Sequence, residues 1–369
     1  MQAQDELRLL LRPAGGGLYV VSTGREEQLA VQRRIYGGVS ENDVARRWQE
    51  ALAQARGARA FLVGVPSDVG AGFLRGANMG PQAIRERLVL EDPGFFLRAA
   101  EKGLVDAGDV FVVPQLLHDD MLSLEQREAS RAALYPGLPA VSRAALPVSP
   151  LSIAERALAL LLAESPGAGL LVLGGDHSCA LPAVKALAAV RPALAVVQVD
   201  AHTDLLAERL GVRYCFGTWS YHANELLGRG GRLIQVGLRA SRHDRSHWES
   251  TLDVRQLWAD EVRADPARAA DLVVDLVRRS GAQAVYFSND IDGTDPDLAR
   301  ATGTPEPGGL GAEFVGGLVR RLGREVKLAG GDVMEVAPPL GGDGEPERTL
   351  ALAARYLRET AAALLGEPV

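Results

Sequence analysis

Cysteine is scarce in this sequence: Cys179 and Cys215 are the only two in 369 residues. They form no Cys-x-x-Cys pair and no disulfide framework, which suits a reducing, cytoplasmic compartment. Aromatic residues make up only 5% of the chain, so Leu, Val and Ala must fill most of its interior. No apolar run reaches the ~20 residues needed to span a bilayer. The opening MQAQDELRLLLRPAGGG has no basic region leading into an apolar stretch, so no signal peptide is expected. An excess of positive charge is also missing. The formal net charge of -7 argues against a nucleic-acid backbone as partner and suits a small cation better. Neither a G-x-G-x-x-G spacing nor a P-loop occurs, which excludes the common nucleotide-binding loops.

What is present is a series of short apolar runs: 61–65, 170–173, 194–199, 233–236, 284–287 and 333–336. They are β-branched and nearly continuous, as strands covered on both faces should be. Helical spacing falls between them, over 81–90, 153–164, 181–190, 267–279, 314–322 and 349–365. Strand and helix alternate, which predicts an α/β fold with a mostly parallel sheet. Residues 1–58 lack this alternation and read as an N-terminal extension, with an amphipathic helix over 46–56, packing on the core or on a neighbouring subunit. Residues 59–369 read as one domain. Within it, residues 119–150, carrying Pro136, Pro139, Pro147 and Pro150, read as a loop insertion.

Polar clusters follow the apolar runs. Gly174-Gly175-Asp176-His177-Ser178 follows the second, Asp200-Ala201-His202-Thr203-Asp204 the third, and Asp290-Ile291-Asp292 the fifth, while the last run carries Glu335 itself. In open parallel sheets, ligands bind beyond the carboxyl ends of the strands, so these clusters are expected at one crevice. Asp and neutral imidazole suit Mn, Fe, Co, Ni or Zn. Alternate residues of an extended segment project the same way, so Asp200, His202 and Asp204 can converge, as can Asp290 and Asp292. With His177 these make six candidate metal ligands, more than one ion needs. Two ions a few Å apart can share one water and lower its pKa towards neutrality. A doubly wound sheet needs none of these charges for its own stability.

The chain resembles the ureohydrolase family, which includes arginase, agmatinase, guanidinobutyrase and formimidoylglutamase. The segments that carry the resemblance are VGVPSD at 63–68, RGANMGPQAIR at 75–85, VDAGDV at 105–110, GGDHS at 174–178, DAHTD at 200–204, VGLRAS at 236–241, SNDIDGTDP at 288–296, TGTPEPGGL at 302–310 and DVMEVAPP at 332–339. Together they span roughly residues 60–365. The resemblance implies a three-layer α/β/α sandwich and two divalent metal ions per chain, usually Mn, with Ni, Co or Fe as alternatives. It implies that His177, Asp200, Asp204 and Asp290 hold one ion, and Asp200, His202, Asp290 and Asp292 the other. Glu335 matches the carboxylate that pairs with the substrate guanidinium, a two-point hydrogen-bonded fit. Hydrolysis at the amidino carbon would then release an amine and urea, with Asp204 and Glu335 as catalytic carboxylates. A homo-trimer or homo-hexamer is the implied assembly.

One departure stands out. Where the family usually places a His-Gly pair after DAHTD, this chain has Phe216-Gly217, and phenylalanine cannot move a proton. Three readings follow. Phe216 and Trp219 shape a pocket for a different amidine; or His222, or the adjacent Cys215, supplies the proton; or the protein retains metal and binds its ligand but turns over slowly. After Asp204 the chain reads Leu205-Leu206-Ala207-Glu208, where arginases carry small polar residues. This favours agmatine or another guanidino compound without an α-carboxylate, with Glu208 available to a distal ammonium. The rival enzyme reading is a formimidoylglutamase-type hydrolase releasing formamide, with Arg213 or Arg75 receiving carboxylates.

Overall fold

The computed structural model describes residues 1–18 and 24–369; the remainder of the N-terminal segment lies outside the described residues. Five of the six apolar runs become strands of one sheet, whose strands among the described residues are β1 (Leu11–Arg12), β2 (Ala60–Val65), β3 (Leu104–Val110), β4 (Gly169–Gly174), β5 (Leu194–Val199), β6 (Leu233–Leu238), β7 (Arg255–Trp258), β8 (Ala284–Asn289) and β9 (Leu328–Val333). Among the described residues their order is β1-β3-β2-β4-β9-β8-β5-β6-β7. Every pairing is parallel except β1 with β3.

Alternate residues of each strand enter two separate cores. Phe61, Val63, Leu170, Val172 and Val196 face one, with the helices Pro150–Glu164 and Leu181–Val190. Leu62, Leu171, Leu173, Ala195 and Val197 face the other, with the helices Pro266–Arg279, Ala312–Glu325 and Glu345–Leu365. That is the expected α/β/α sandwich, and it explains why the strands read as unbroken apolar runs. β4 and β5 follow one another along the chain, yet β9 and β8 lie between them. The crevice beyond these four carboxyl ends is where such sheets bind ligands.

Three local expectations are corrected. The last strand ends at Val333, so Glu335 does not lie on it but two residues beyond, with φ +61°. Its true body, Leu328-Ala329-Gly330-Gly331-Asp332, lacks the β-branched residues that mark a strand. The segment 119–150 is not a bare loop. It carries a helix over Leu124–Leu134, started by a capping box between Ser123 and Gln126, and a short helix over Ala140–Arg143. Its Pro residues lie outside the first helix and so do not interrupt it.

The helix expected over 46–56 instead spans Glu41–Ala53, begun by Ser40 and Asp43. The N-terminal segment also forms helices Ala3–Leu10 and Arg25–Tyr36. It packs on this chain's own core through Leu7, Leu10, Leu11, Trp48 and Leu52. Trp48 Nε1 donates to the Ala107 carbonyl at 2.9 Å, and Gly15 N to Asp109 Oδ2 at 2.7 Å. Asp109 and Asp106 in turn hold the fully buried Arg85 at 2.6 and 2.9 Å.

Candidate metal centre

The loops beyond β4, β9, β8 and β5 bring His177, Glu335, the pair Asp290 and Asp292, and the trio Asp200, His202 and Asp204 together. Close packing beneath them demands glycine. A Cβ on Gly175 would sit 1.9 Å from the Ser67 carbonyl oxygen, so the Gly-Gly pair answers a steric need rather than only a turn. Asp176, fully buried, accepts from the backbone N–H groups of Ser178 and Gly70, both at 2.9 Å. It thereby ties the loop after β2 to the loop after β4. Burial raises its pKa to about 6 against those hydrogen bonds.

His177 Nδ1 lies 2.9 Å from Asp290 Oδ2, 3.1 Å from Asp200 Oδ2 and 3.5 Å from Asp204 Oδ2. His202 Nδ1 lies 3.1 Å from Asp292 Oδ2 and 3.5 Å from Asp200 Oδ1. Two groups result whose ligand atoms lie within 4.8 Å of one another: His177, Asp200 and Asp290, and Asp200, His202 and Asp292. They share Asp200, one oxygen facing each histidine. Asp204 stands beside the first group in a left-handed conformation, φ +52°. Its Oδ2 accepts the indole N–H of Trp219 at 3.0 Å.

The electrostatics match a cation site. Burial and then the charge of Asp200 push the Asp204 pKa well up. Burial and then Asp292 and Asp200 do the same to Asp290. Burial works against the ionised forms of His177 and Asp200 as well. It is outweighed by their close approach, His177 Nδ1 to Asp200 Oδ2, and by their opposite charge, which raise His177 and lower Asp200. Four carboxylates in a space with two imidazoles are held against repulsion that a bound cation would relieve.

His177 supplies a direct test of that fit. Its Nε2 lies 3.0 Å from Ser288 Oγ, and Ser288 Oγ reaches the buried Asp332 carboxylate at 2.9 Å. A proton on Nε2 pointing along this relay leaves the Nδ1 lone pair facing the carboxylates, the tautomer a metal ligand needs. Nδ1 itself is buried without a hydrogen-bond partner. An orphaned imidazole nitrogen beside hard oxygen donors fits a divalent ion.

The supporting residues escaped the sequence reading. Ser288 and Asp332 lie within strands, and Asp332 precedes the run read as the last strand. Gln198 donates to Asp200 Oδ2 at 2.7 Å and accepts from Gln235 at 2.8 Å, which accepts from Gln256 at 2.9 Å. These glutamines stand side by side on β5, β6 and β7. Their signal was a glutamine repeated inside two apolar runs, Val196-Val197-Gln198-Val199 and Leu233-Ile234-Gln235-Val236.

Glu335 is 6% exposed, and its Oε1 accepts from the His177 N–H at 2.8 Å. Burial and then Asp176 push its pKa well up. It lines a cavity of about 90 Å³ with Phe216, Phe73, Leu74, Thr304 and Arg209. Thr304 Oγ1 donates to Asp292 Oδ2 at 3.0 Å, so this cavity adjoins the acidic cluster.

Trp219 does not line it. That residue is 1% exposed and stacks on His177, ring centroids 4.4 Å apart at 28°. His222 is held elsewhere, its Nε2 2.9 Å from the Arg213 carbonyl and its ring against Tyr214 and Tyr221. Cys215 is buried, its N–H donating to Thr218 Oγ1 at 2.9 Å. Arg213 lies over Tyr214, Arg75 is engaged by the carbonyl and carboxylate of Asp68, and Glu208 is exposed.

Comparison with known proteins agrees with this geometry. The arginase family model matches residues 58–363. Proclavaminate amidinohydrolase of Streptomyces clavuligerus is 32% identical over 296 residues, 77% of this chain and 82% of that protein. Guanidinobutyrase of Pseudomonas aeruginosa is 30% identical over 83% of this chain and 86% of its own. The solved structure of the S. clavuligerus enzyme superposes with a TM-score of 0.62 at 32% identity, covering 84% of this chain and 93% of that one. No helix among the described residues is long and apolar enough to cross a membrane. With the metal-ready histidine, the shared carboxylates and the four converging strand ends in place, the chain belongs to the arginase family, hydrolases that act on C–N bonds.

Proposed function

We propose that this protein hydrolyses a guanidino compound to an amine and urea with two divalent metal ions, Mn first among the candidates. The observation that carries the reading is Glu335, a buried carboxylate facing a small cavity beside the His-Asp cluster. His177, Asp200, Asp204 and Asp290 would hold one ion; Asp200, His202, Asp290 and Asp292 would hold the other. When bound, the ions supply Lewis-acid chemistry that makes a water nucleophilic near neutral pH.

The rest falls to the chain's own residues. Glu335 has Oε1 engaged by the His177 N–H and orients the planar guanidinium through its carboxylate. Asp204 has Oδ2 tied to Trp219. Its Oδ1 takes the proton from the attacking water and returns it to the departing amine. The C–O bond forms first, and the amidino C–N bond then breaks as the amine takes that proton, leaving urea once the remaining proton is released. Phe216 gives the cavity an apolar wall beside Glu335. Phe216 thus shapes the cavity, while Trp219 backs His177 from the far side. His222, bound to the Arg213 carbonyl, takes no part in this scheme.

A guanidino compound without an α-carboxylate, agmatine or another, is favoured over arginine by the residues after Asp204, and its guanidinium suits the buried Glu335. A cytoplasmic homo-trimer or homo-hexamer remains the expected form. The formimidoylglutamase reading needs cations for two carboxylates, and neither of its candidates, Arg75 and Arg213, lines this cavity. The test is urea release from the Mn-, Ni- or Co-loaded protein on a guanidino panel, with formamide and ammonia followed in parallel. Urea from one guanidino compound, lost in Glu335→Gln with metal content intact, is the expected result. Formamide from formiminoglutamate in its place would overturn the reading.

A further inference from the structure

Two charged residues line the cavity, and they differ in setting. Glu335 is buried at its inner end, beside the acidic cluster, whereas Arg209 is exposed at its outer end. The Arg209 guanidinium lies 4.8 Å from the Phe216 ring centroid, stacked over the aromatic wall. Its backbone is pinned by a two-residue turn. Arg209 and Val212 exchange N–H to O bonds of 2.9 Å around Leu210 and Gly211, with φ of +52° and +78°. Among the described residues, no acidic group lies within 4.0 Å of this guanidinium, although most other arginines near the site have a partner. Arg75 has Asp68, and Arg239 binds the carbonyls of Asp292 and Glu306.

We infer that Arg209 receives an anionic group at the far end of the substrate, which makes the substrate a guanidino acid with a short apolar linker. This rests on the amidinohydrolase reading above. The cavity is bipolar: a carboxylate for the guanidinium inside, apolar walls from Phe73, Leu74 and Phe216, and a guanidinium for a carboxylate at the mouth. Arginine's fork matches a carboxylate by two parallel hydrogen bonds, and the ring beneath it reduces the entropy lost in that match. A substrate ending in an ammonium would place like charges together at the same point, which costs affinity. Glu208, the residue otherwise available to a distal ammonium, is not part of the cavity wall.

The experiment is steady-state urea release by the metal-loaded full chain on guanidinopropionate, guanidinobutyrate, agmatine and neutral butylguanidine, in wild type, Arg209→Ala and Arg209→Glu. Isothermal binding of guanidinobutyrate is measured alongside. The expected result is a guanidino acid preferred over agmatine and butylguanidine. Arg209→Ala should raise KM and Kd for that acid about tenfold with kcat nearly unchanged, and leave butylguanidine unaffected. Arg209→Glu should move the preference towards agmatine. Wild type hydrolysing agmatine or butylguanidine better than either acid, or an acid KM indifferent to Arg209, would overturn the inference and leave the amidinohydrolase reading standing. Failure on every guanidino compound, with no binding of the acid, would overturn both.

Discussion

The indole N–H of Trp219 donates to Asp204 Oδ2 at 3.0 Å while the ring of the same residue stacks on His177. One aromatic side chain therefore orients two members of the cluster from the side away from the cavity. Trp219→Phe keeps the stack and removes the hydrogen bond. Groups that orient metal ligands are worth roughly 10- to 100-fold in affinity or activity. The expected loss in metal affinity lies at the low end, about tenfold, with the fold intact. Competitive titration against a metal-binding dye, with circular dichroism as the control, measures it. Unchanged affinity would mean that Asp204 needs no orienting partner.

Ser288 links Asp332 to His177, and its removal isolates the relay. Ser288→Ala leaves Nε2 without its acceptor and frees the ring to take the other tautomer. The expected outcome is about 10- to 100-fold weaker metal binding, with KM for substrate little changed once the site is saturated with metal. A rise in KM under saturating metal would place Ser288 in substrate recognition instead.

Much of this centre was legible in the sequence, for a physical reason. Asp and His at alternate positions just past a strand are a pattern that candidate metal ligands share, so Asp200-x-His202-x-Asp204 and Asp290-x-Asp292 stand out against apolar runs. Glu335 was legible by type but not by place, because Gly330 and Gly331 hide the strand before it. A Cβ on Gly330 would lie 2.4 Å from the Leu170 carbonyl oxygen, so the central strand spends its β propensity on close approach. The supporting residues Ser288, Asp332, Gln198 and Gln235 were hidden because each acts across strands, through a register that one sequence does not carry. Trp219 illustrates the same limit: its position near Phe216 in sequence suggested the cavity, whereas the helix Trp219–Leu226 turns it behind His177. Arg209 carried no signal at all, since its meaning depends on the aromatic ring beneath it.

Arg85 tests how the N-terminal segment is joined to the sheet. It is fully buried between Asp106 and Asp109, and Asp109 also accepts from Gly15 while Tyr36 reaches Asp106. Arg85→Met preserves bulk and leaves two buried carboxylates without their cation. Removing one partner of such a pair costs about 3–5 kcal/mol. Urea unfolding of the metal-loaded protein should register that loss, with earlier proteolysis within residues 1–58. A loss below about 1 kcal/mol would show that the two carboxylates find protons or water in its place.

Metal removal should destabilise the chain, and Asp290 sets the sign of the effect. Its carboxyl is pushed well up in pKa by burial, then by Asp292 and Asp200, so its charge opposes the folded state when no cation is bound. A carboxyl with a raised folded-state pKa favours the fold below its unfolded value. That contribution is lost as pH rises through the folded value, so the apo protein should weaken towards neutral pH. A ligand that binds only the native state, present at a hundredfold over its Kd, adds about 2.7 kcal/mol. Asp290→Asn separates the two terms, because it removes the charge but keeps the shape. At neutral pH the apo variant should match or exceed the apo wild type in urea, whereas added metal should stabilise the wild type far more than the variant. If the apo variant is instead the weaker of the two, Asp290 carries a structural hydrogen bond that outweighs its repulsion. Equal stabilisation of both proteins by metal would remove Asp290 from the ligand set.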